Sequence, residues 1–387
     1  MTEAIFTPEQ LAEIRDYHRV HYLWGAIGPF VNFGLAVLIL RFVVRPLYAR
    51  CERVKIPSRV LSRMWNGDGW AAALAFSFAY CAITAALYLP LDIYFDYVHE
   101  HAFGMSKHTP ATWATDFAKG FLLGTGAYGA LTFGLFGLAR RMPRWWLVLG
   151  TVGAVLLLFS AAIDPYRARV FYDQKPLPAG ELRERITALM AKAEIDFKDV
   201  LVEDNSRATV RLQAYFAGKG PTRTIVLNQS LLQNLTHDEI LAAVAHEAGH
   251  VNEWRWPGTI ASALTLIAFL FGVDRLMRLA ARRGWWGMTE PADIRVLPLV
   301  FVVFSLATTF VKPVAAVVSR ARETSADVYG LELTKNPEAF SMMLVKAARV
   351  NKMDPDPPRW VVWKGRSHPS IRERLETVEA WKKTNGG

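Results

Sequence analysis

Six apolar runs, at about 22–44, 70–89, 121–139, 145–163, 256–273 and 296–318, limit what this chain can fold into. Each is close to the roughly 20 residues that a helix needs to cross a bilayer core. Hydrocarbon offers the backbone no water to bond, so runs of this length have to be helices that pack together. Composition agrees: 52% hydrophobic residues, 12% aromatics with 13 Trp and a mean hydropathy of +0.15 exceed what an ordinary soluble enzyme carries. Trp24 and Trp70 stand near run ends, where indole rings favour the interface. In the third run Gly126, Ala130 and Gly134 recur every four residues, a row of small side chains that lets helices approach closely. Asn32 and Thr84 are isolated polar groups suited to bonding inside a bundle.

The net charge of +10 does not point to nucleic acid, because Arg and Lys cluster in short loops between apolar runs and not on one face interleaved with aromatics. The expected surroundings are a lipid bilayer, with no nucleic-acid partner. Cys51 lies in a basic loop and Cys81 in an apolar run, so a disulfide between them is not expected. Glu3, Glu9, Glu13 and Asp16 precede the first run, which argues against a cleaved signal peptide. The Thr384–Gly387 end has no prenylation motif.

Between the fourth and fifth runs the pattern changes. An amphipathic helix is expected at 181–193, strands at 198–203, 209–216 and 224–227, and a turn at 218–221. Such a frame can accept an extended peptide as one more strand. Then comes Leu241-Ala-Ala-Val-Ala-His-Glu-Ala-Gly-His-Val251, helical in composition, with Thr236 and Glu239 forming a capping box at its start. On a helix His246 and His250 share one face and can hold a single Zn2+ ion, while Glu247 is placed to act on a water there without being a ligand. The alternative is a pair of ordinary surface histidines. A catalytic zinc site needs a third protein ligand, and Glu323 in Ser319-Arg-Ala-Arg-Glu-Thr-Ser-Ala-Asp327 is the candidate; Asp327, one turn on, can accept the second N–H of a ligand histidine. The alternative for that segment is a solvated helix surface. Two apolar runs separate the histidines from Glu323, so the chain returns to the same side of the membrane. His99 and His101, on an expected loop at 97–107, also lie on that side as weaker ligand candidates.

His-Glu-Ala-Gly-His, then Ser319–Asp327, then Ser367-His-Pro-Ser-Ile-Arg-Glu-Arg-Leu375 resembles, in order and spacing, the three-part signature of the CAAX prenyl endopeptidase type I family of membrane zinc metallopeptidases. The resemblance covers about 97–375. It implies that Glu323 is the third ligand, that Asp327 neighbours the ligands, and that His368 and Arg374 steady the oxyanion during peptide hydrolysis. Arg211-Leu-Gln-Ala-Tyr-Phe216 resembles the family's substrate strand, with Gln213, Ala214 and Tyr215 as the contact residues, but Gln213 stands where the family usually has Asn. The 97–107 segment resembles the family's Glu-x-x-x-Gly-Phe loop in altered form, and 225–230 lacks the family's usual Asp.

The expected fold is mainly α, a polytopic membrane helix bundle of about six apolar spans plus the zinc helix, with a small α+β gluzincin-type zinc metallopeptidase domain. Its divisions are 1–164 with four spans, 165–255 as a soluble domain ending in the zinc helix, 256–318 with two further spans, and 319–387 carrying the third ligand and the oxyanion residues. The expected function is zinc-dependent endoproteolysis of peptide or protein substrates that are prenylated or membrane-embedded. The competing readings are an inactive zinc-binding scaffold, a broad membrane-protein quality-control protease, and a transporter with a structural zinc domain. Internal repeats and mid-span ionisable groups, which a transporter would show, are not evident. The compact chain suggests a bacterial inner membrane. Two arguments on orientation disagree there: basic loops after the first, third and fifth runs place the zinc side in the periplasm, whereas eukaryotic members of the family imply the cytosol.

Overall fold

The computed structural model describes residues 6–253 and 256–385. Expectations that touch Glu3, the boundary at 255 or the Gly387 end lie outside the described residues, as do the side chains of 158–170 in the fourth run. Helix α1 (Pro8–Leu38) starts at a capping box between Thr7 and Gln10 and runs on through a π-helical turn to Cys51. Helix α2 (Trp70–Asp92) continues through a π-helical stretch (Ile93–His99) and a last turn (Glu100–Ala102), followed by α3 (Pro110–Arg141) and α4 (Trp145–Phe171). The segment expected as a loop at 97–107 therefore opens as helix. Its histidines are occupied elsewhere: His99 is buried with Nε2 2.9 Å from the Tyr17 carbonyl, and His101 lies 2.7 Å from each of the Tyr97 and His108 carbonyls.

Strand β1 (Asp173–Pro176), helix α5 (Glu181–Lys192), strands β2 (Asp199–Asp204), β3 (Ala214–Ala217) and β4 (Thr224–Asn228), and helix α6 (His237–Asn252) form the next unit. The sheet order is β1-β2-β4-β3, with β2 and β4 parallel and both outer strands antiparallel to their neighbours. Every residue of the central β4 is buried. Ile186 and Met190 of α5 and Ile240 and Val244 of α6 cover one sheet face, packing with Val200, Ile225 and Leu227. Of the strand expected at 209–216 only 214–216 is paired as strand, which runs on to Ala217, and β1 has no counterpart in the sequence reading because Asp-Gln-Lys-Pro shows no apolar alternation.

Helices α7 (Trp256–Arg282) and α8 (Leu297–Thr334) follow, then α9 (Pro337–Val350), α10 (Arg359–Gly365) and α11 (Ile371–Asn385). Among the described residues five helical segments are long and apolar enough to cross a membrane: Pro8–Cys51, Trp70–Ala102, Pro110–Arg141, Pro257–Arg282 and Ile294–Thr334; α4 opens with the apolar stretch Trp145–Leu157. Their outward faces are apolar, with Phe30 78%, Leu122 67%, Leu264 62% and Phe310 76% exposed, a surface that only lipid solvates well. The protein is an integral membrane protein, mostly helical, with one small sheet.

Candidate active site

Two helices build the site by coming unusually close. Thr236 caps α6 as expected, its hydroxyl accepting from the Glu239 N–H while the Glu239 carboxylate accepts from the Thr236 N–H at 2.7 Å. A Cβ on Gly249 would stand 2.8 Å from the Ala326 Cα, and one on Gly330 would stand 3.1 Å from the His246 backbone nitrogen. Only hydrogen in both places lets α6 and α8 touch backbone to backbone. The approach brings Glu323 to both histidines: His246 Nε2 is 3.4 Å from Oε2 and His250 Nε2 is 3.4 Å from Oε1.

These separations fit ligands around a common ion. Zinc bonds of 2.0–2.1 Å in a tetrahedron give ligand-to-ligand edges of about 3.3–3.4 Å. The donor atoms of His246, His250 and Glu323 all lie within 4.8 Å of one another, and Glu323 Oε2 is buried with no hydrogen-bond partner among the described residues. A buried carboxylate oxygen left in that state is costly unless a cation takes it up. Two imidazoles and a carboxylate are a zinc donor set, and the residues present fit that metal.

Each imidazole is held from behind. Asp327 lies 2.8 Å from His246 Nδ1, and Glu253 lies 2.7 Å from His250 Nδ1. Because an ionised carboxylate only accepts, Nδ1 carries a proton in both rings, which leaves Nε2, on the Glu323 side, as the nitrogen that would bind a metal. The sequence reading found Asp327 and missed Glu253, whose one signal is its position three residues beyond His250 at the end of α6. Burial pushes the Glu247 carboxyl up from the ordinary carboxylate range. The Glu323 carboxylate pushes the His250 imidazole up to about 9 in the metal-free chain. His368 is pushed the other way by burial.

His368 and Arg374 occupy different places. His368 Nε2 is 3.3 Å from Glu323 Oε1, and its ring is half-exposed. Arg374 is buried, with Nε and Nη2 donating to Asp327 at 2.8 and 2.5 Å and Nη2 3.3 Å from His246 Nδ1. That is the edge of the ring opposite the one facing Glu323, so Arg374 meets Asp327 and His246 from the side away from Glu323. The pair fixes Asp327, which fixes His246.

Gln213, Ala214 and Tyr215 lie at the outer edge of the sheet, in and before β3. The Gln213 N–H donates to the Asn228 side chain at 3.1 Å and its carbonyl accepts from the Asn228 N–H at 3.0 Å, while its own exposed side chain reaches only the Asn205 amide at 3.5 Å. Antiparallel alternation then turns the N–H and C=O of Ala214 and Phe216 away from β4. The Tyr215 hydroxyl donates to buried Glu203 at 2.7 Å. The residues leading into β3 are held by side chains: Asn351 bonds both the N–H and the C=O of Leu212 at 2.7 and 3.1 Å, and Arg211 pairs with Glu100 at 2.7 Å. Asn351 had no sequence signal, since it pairs with backbone 139 residues away.

Comparison with known proteins agrees with this geometry. The profile of peptidase family M48 matches residues 176–382, and that of the CAAX prenyl protease N-terminal region, described as five membrane helices, matches 2–168. YhfN of Bacillus subtilis, an uncharacterized metalloprotease, is 30% identical over 378 residues, covering 96% of this chain and 86% of its own. CAAX prenyl protease 1 of Saccharomyces cerevisiae is 22% identical over 395 residues, with 96% and 86% covered. The crystal structure of S. mikatae Ste24p shares the fold with a TM-score of 0.79 at 21% identity, covering 96% of this chain and 89% of that one. With its family profile matched across more than half its length, the chain belongs to peptidase family M48 and to its CAAX prenyl protease branch of integral-membrane metalloproteases.

Proposed function

We propose that this metalloprotease is a zinc endopeptidase that cuts membrane-associated or lipid-modified proteins, with one zinc ion held by His246, His250 and Glu323. The observation that carries the reading is the meeting of those three donors across α6 and α8, with each histidine 3.4 Å from Glu323 and all three within 4.8 Å of one another, one residue from the half-buried Glu247. A zinc ion held there would supply Lewis-acid chemistry to a water molecule and to the scissile carbonyl. Glu247, one residue from His246 and not itself a ligand, takes the proton of that water and delivers it to the leaving amine; its raised affinity for protons suits the first role. His368, half-exposed and 3.3 Å from Glu323, donates to the oxyanion that develops on the scissile carbonyl, a contact commonly worth about 3 kcal/mol. Arg374 acts through Asp327 and His246 as a positioning residue. The substrate lies extended along β3 and pairs with the backbone of Ala214 and Phe216, so the exchange of Asn for Gln at 213 bears on side-chain contact and not on this pairing.

Relatives named as CAAX prenyl proteases favour substrates with a prenylated C-terminal cysteine, and broad quality control of membrane proteins is the second reading. Comparing membrane-protein C-terminal and internal peptides with and without active enzyme separates the two. The mechanism is tested with Glu247→Gln. Activity is expected to vanish while zinc stays bound, and loss of both would make Glu247 a structural residue.

A further inference from the structure

The segment that joins α9 to α11 carries Pro357-Pro-Arg-Trp-Val-Val-Trp-Lys-Gly-Arg366, and its centre is the short helix α10. Trp363 is 71% exposed and Trp360 43%, an aromatic area that a water-facing loop has no reason to carry. The neighbours of α10 show where it sits. The Trp360 ring packs against Gly25 of α1, 3.8 Å from where a Cβ would stand, and edge-on to Tyr22 with ring centres 6.1 Å apart. The Lys364 amine donates to the Gly25 carbonyl. Gly365 abuts α8, where a Cβ would lie 3.3 Å from the Lys312 Cβ.

Both anchor points are inside membrane helices. Gly25 lies past the start of the apolar run 22–44, and Lys312 lies before the end of the run 296–318. Around them the outward side chains are lipid-facing: Leu23 is 57% and Ile27 44% exposed on α1, Val311 47% and Val314 69% on α8. The carboxyl end of α10 is also held, because Arg320 donates to the carbonyls of Val362 at 3.3 Å and Arg366 at 2.8 Å. Arg359 and Lys364 bracket the two indoles with cationic heads on apolar stems.

We infer that α10 is an interfacial membrane segment, with Trp360 and Trp363 seated at the boundary of headgroups and acyl chains, continuous with the lipid-facing surface of α1 and α8. His368 follows Gly365 within one turn's length of chain, so the depth of α10 sets the height of His368 above the bilayer. The test uses the full chain in phospholipid nanodiscs, with Cys51→Ser and Cys81→Ser and a nitroxide at Trp363→Cys. Val314→Cys serves as the lipid reference and Lys383→Cys as the aqueous one. At 363 the label is expected to collide with oxygen more than with a water-soluble nickel chelate, the ranking found at 314. The reverse ranking, as at 383, overturns the inference, and so does a label shielded from both reagents, which would mean a protein surface covers the helix. Should the labelled variant fail to fold, a diazirine-bearing phospholipid photolysed with the unmodified chain decides. Adducts on the 359–366 peptide support the inference, and adducts on α1 and α8 without them overturn it.

Discussion

Gly249→Ala tests whether the backbone contact between α6 and α8 creates the metal site. The added methyl would meet the Ala326 Cα at 2.8 Å, its Cβ at 3.1 Å and its carbonyl oxygen at 3.2 Å. None of these atoms is the end of a flexible side chain, so the helices must part by about 0.7–1.2 Å to restore a carbon contact of 3.5–4.0 Å. Zinc bonds tolerate deviations of about 0.2 Å. The histidines ride on α6, and Glu323 lies one turn before Ala326 on α8, so parting the helices opens the ligand set directly. Overpacking of this kind costs about 1–3 kcal/mol. If that cost falls on the loaded state, zinc affinity drops roughly 5- to 150-fold. Competition with a chelator, read by metal analysis of the purified variant in the same detergent, measures it. Restoring space with Ala326→Gly removes the 3.1 Å contact and leaves the 2.8 Å one, so only partial recovery is expected. Zinc retention by Gly249→Ala equal to that of the unmodified protein would refute the reasoning.

Removing a ligand and removing its support should differ in degree. Glu323→Ala is expected to lose zinc about as severely as His250→Ala, while Asp327→Ala and Glu253→Ala weaken retention about 10- to 100-fold; a Glu323→Ala protein that held zinc normally would send the search for a third ligand to His368. Asn351→Ala leaves the N–H and C=O of buried Leu212 without their partner ahead of the substrate strand. Two such bonds at about 0.5–1.5 kcal/mol each should raise KM roughly 5- to 150-fold with kcat little changed, and an unaltered KM would show that this anchor does not position substrate. Loop charge supports a catalytic side that faces away from the cytoplasm. A reporter active only outside the cytoplasm should therefore report after Gly387; silence there, with activity from a fusion in the 45–63 loop, reverses the orientation and leaves the zinc chemistry untouched.

What the sequence made legible was whatever repeats along the chain. His246 and His250 are one helical turn apart, the membrane runs have a length set by the bilayer, and two runs between the histidines and Glu323 return the chain to one side. The hidden parts depend on contacts with no period. Residues 209–213 alternate like a strand, yet the chain there is fixed by Asn228, Asn351 and Glu100 and by a single bridge between Ser106 and Thr209. Arg374 could be read as a site residue from its motif, but which edge of His246 it meets depends on how α11 packs beneath α8. His99 and His101 looked available only because the helical continuation of α2, which turns them toward carbonyls, leaves no mark of its own in the sequence.

The length of α8 connects these two kinds of information. Its 38 residues amount to about 57 Å of helix, far more than the roughly 30 Å of a hydrocarbon core. The surplus is the half that carries Glu323, Asp327 and Gly330, so the proposed ligand, the partner of His246 and the contact with α6 all belong to the extension of a membrane helix. Glu323 stands five residues beyond the end of the apolar run at 318, about 8 Å along the axis. With Arg320 tying α10 to that same stretch, the catalytic centre has no hinge between itself and the bilayer on this side. On the proposed reading a scissile bond would be cut close to the membrane surface, and an edge strand such as β3 favours a substrate that reaches it in extended form over a folded globular segment.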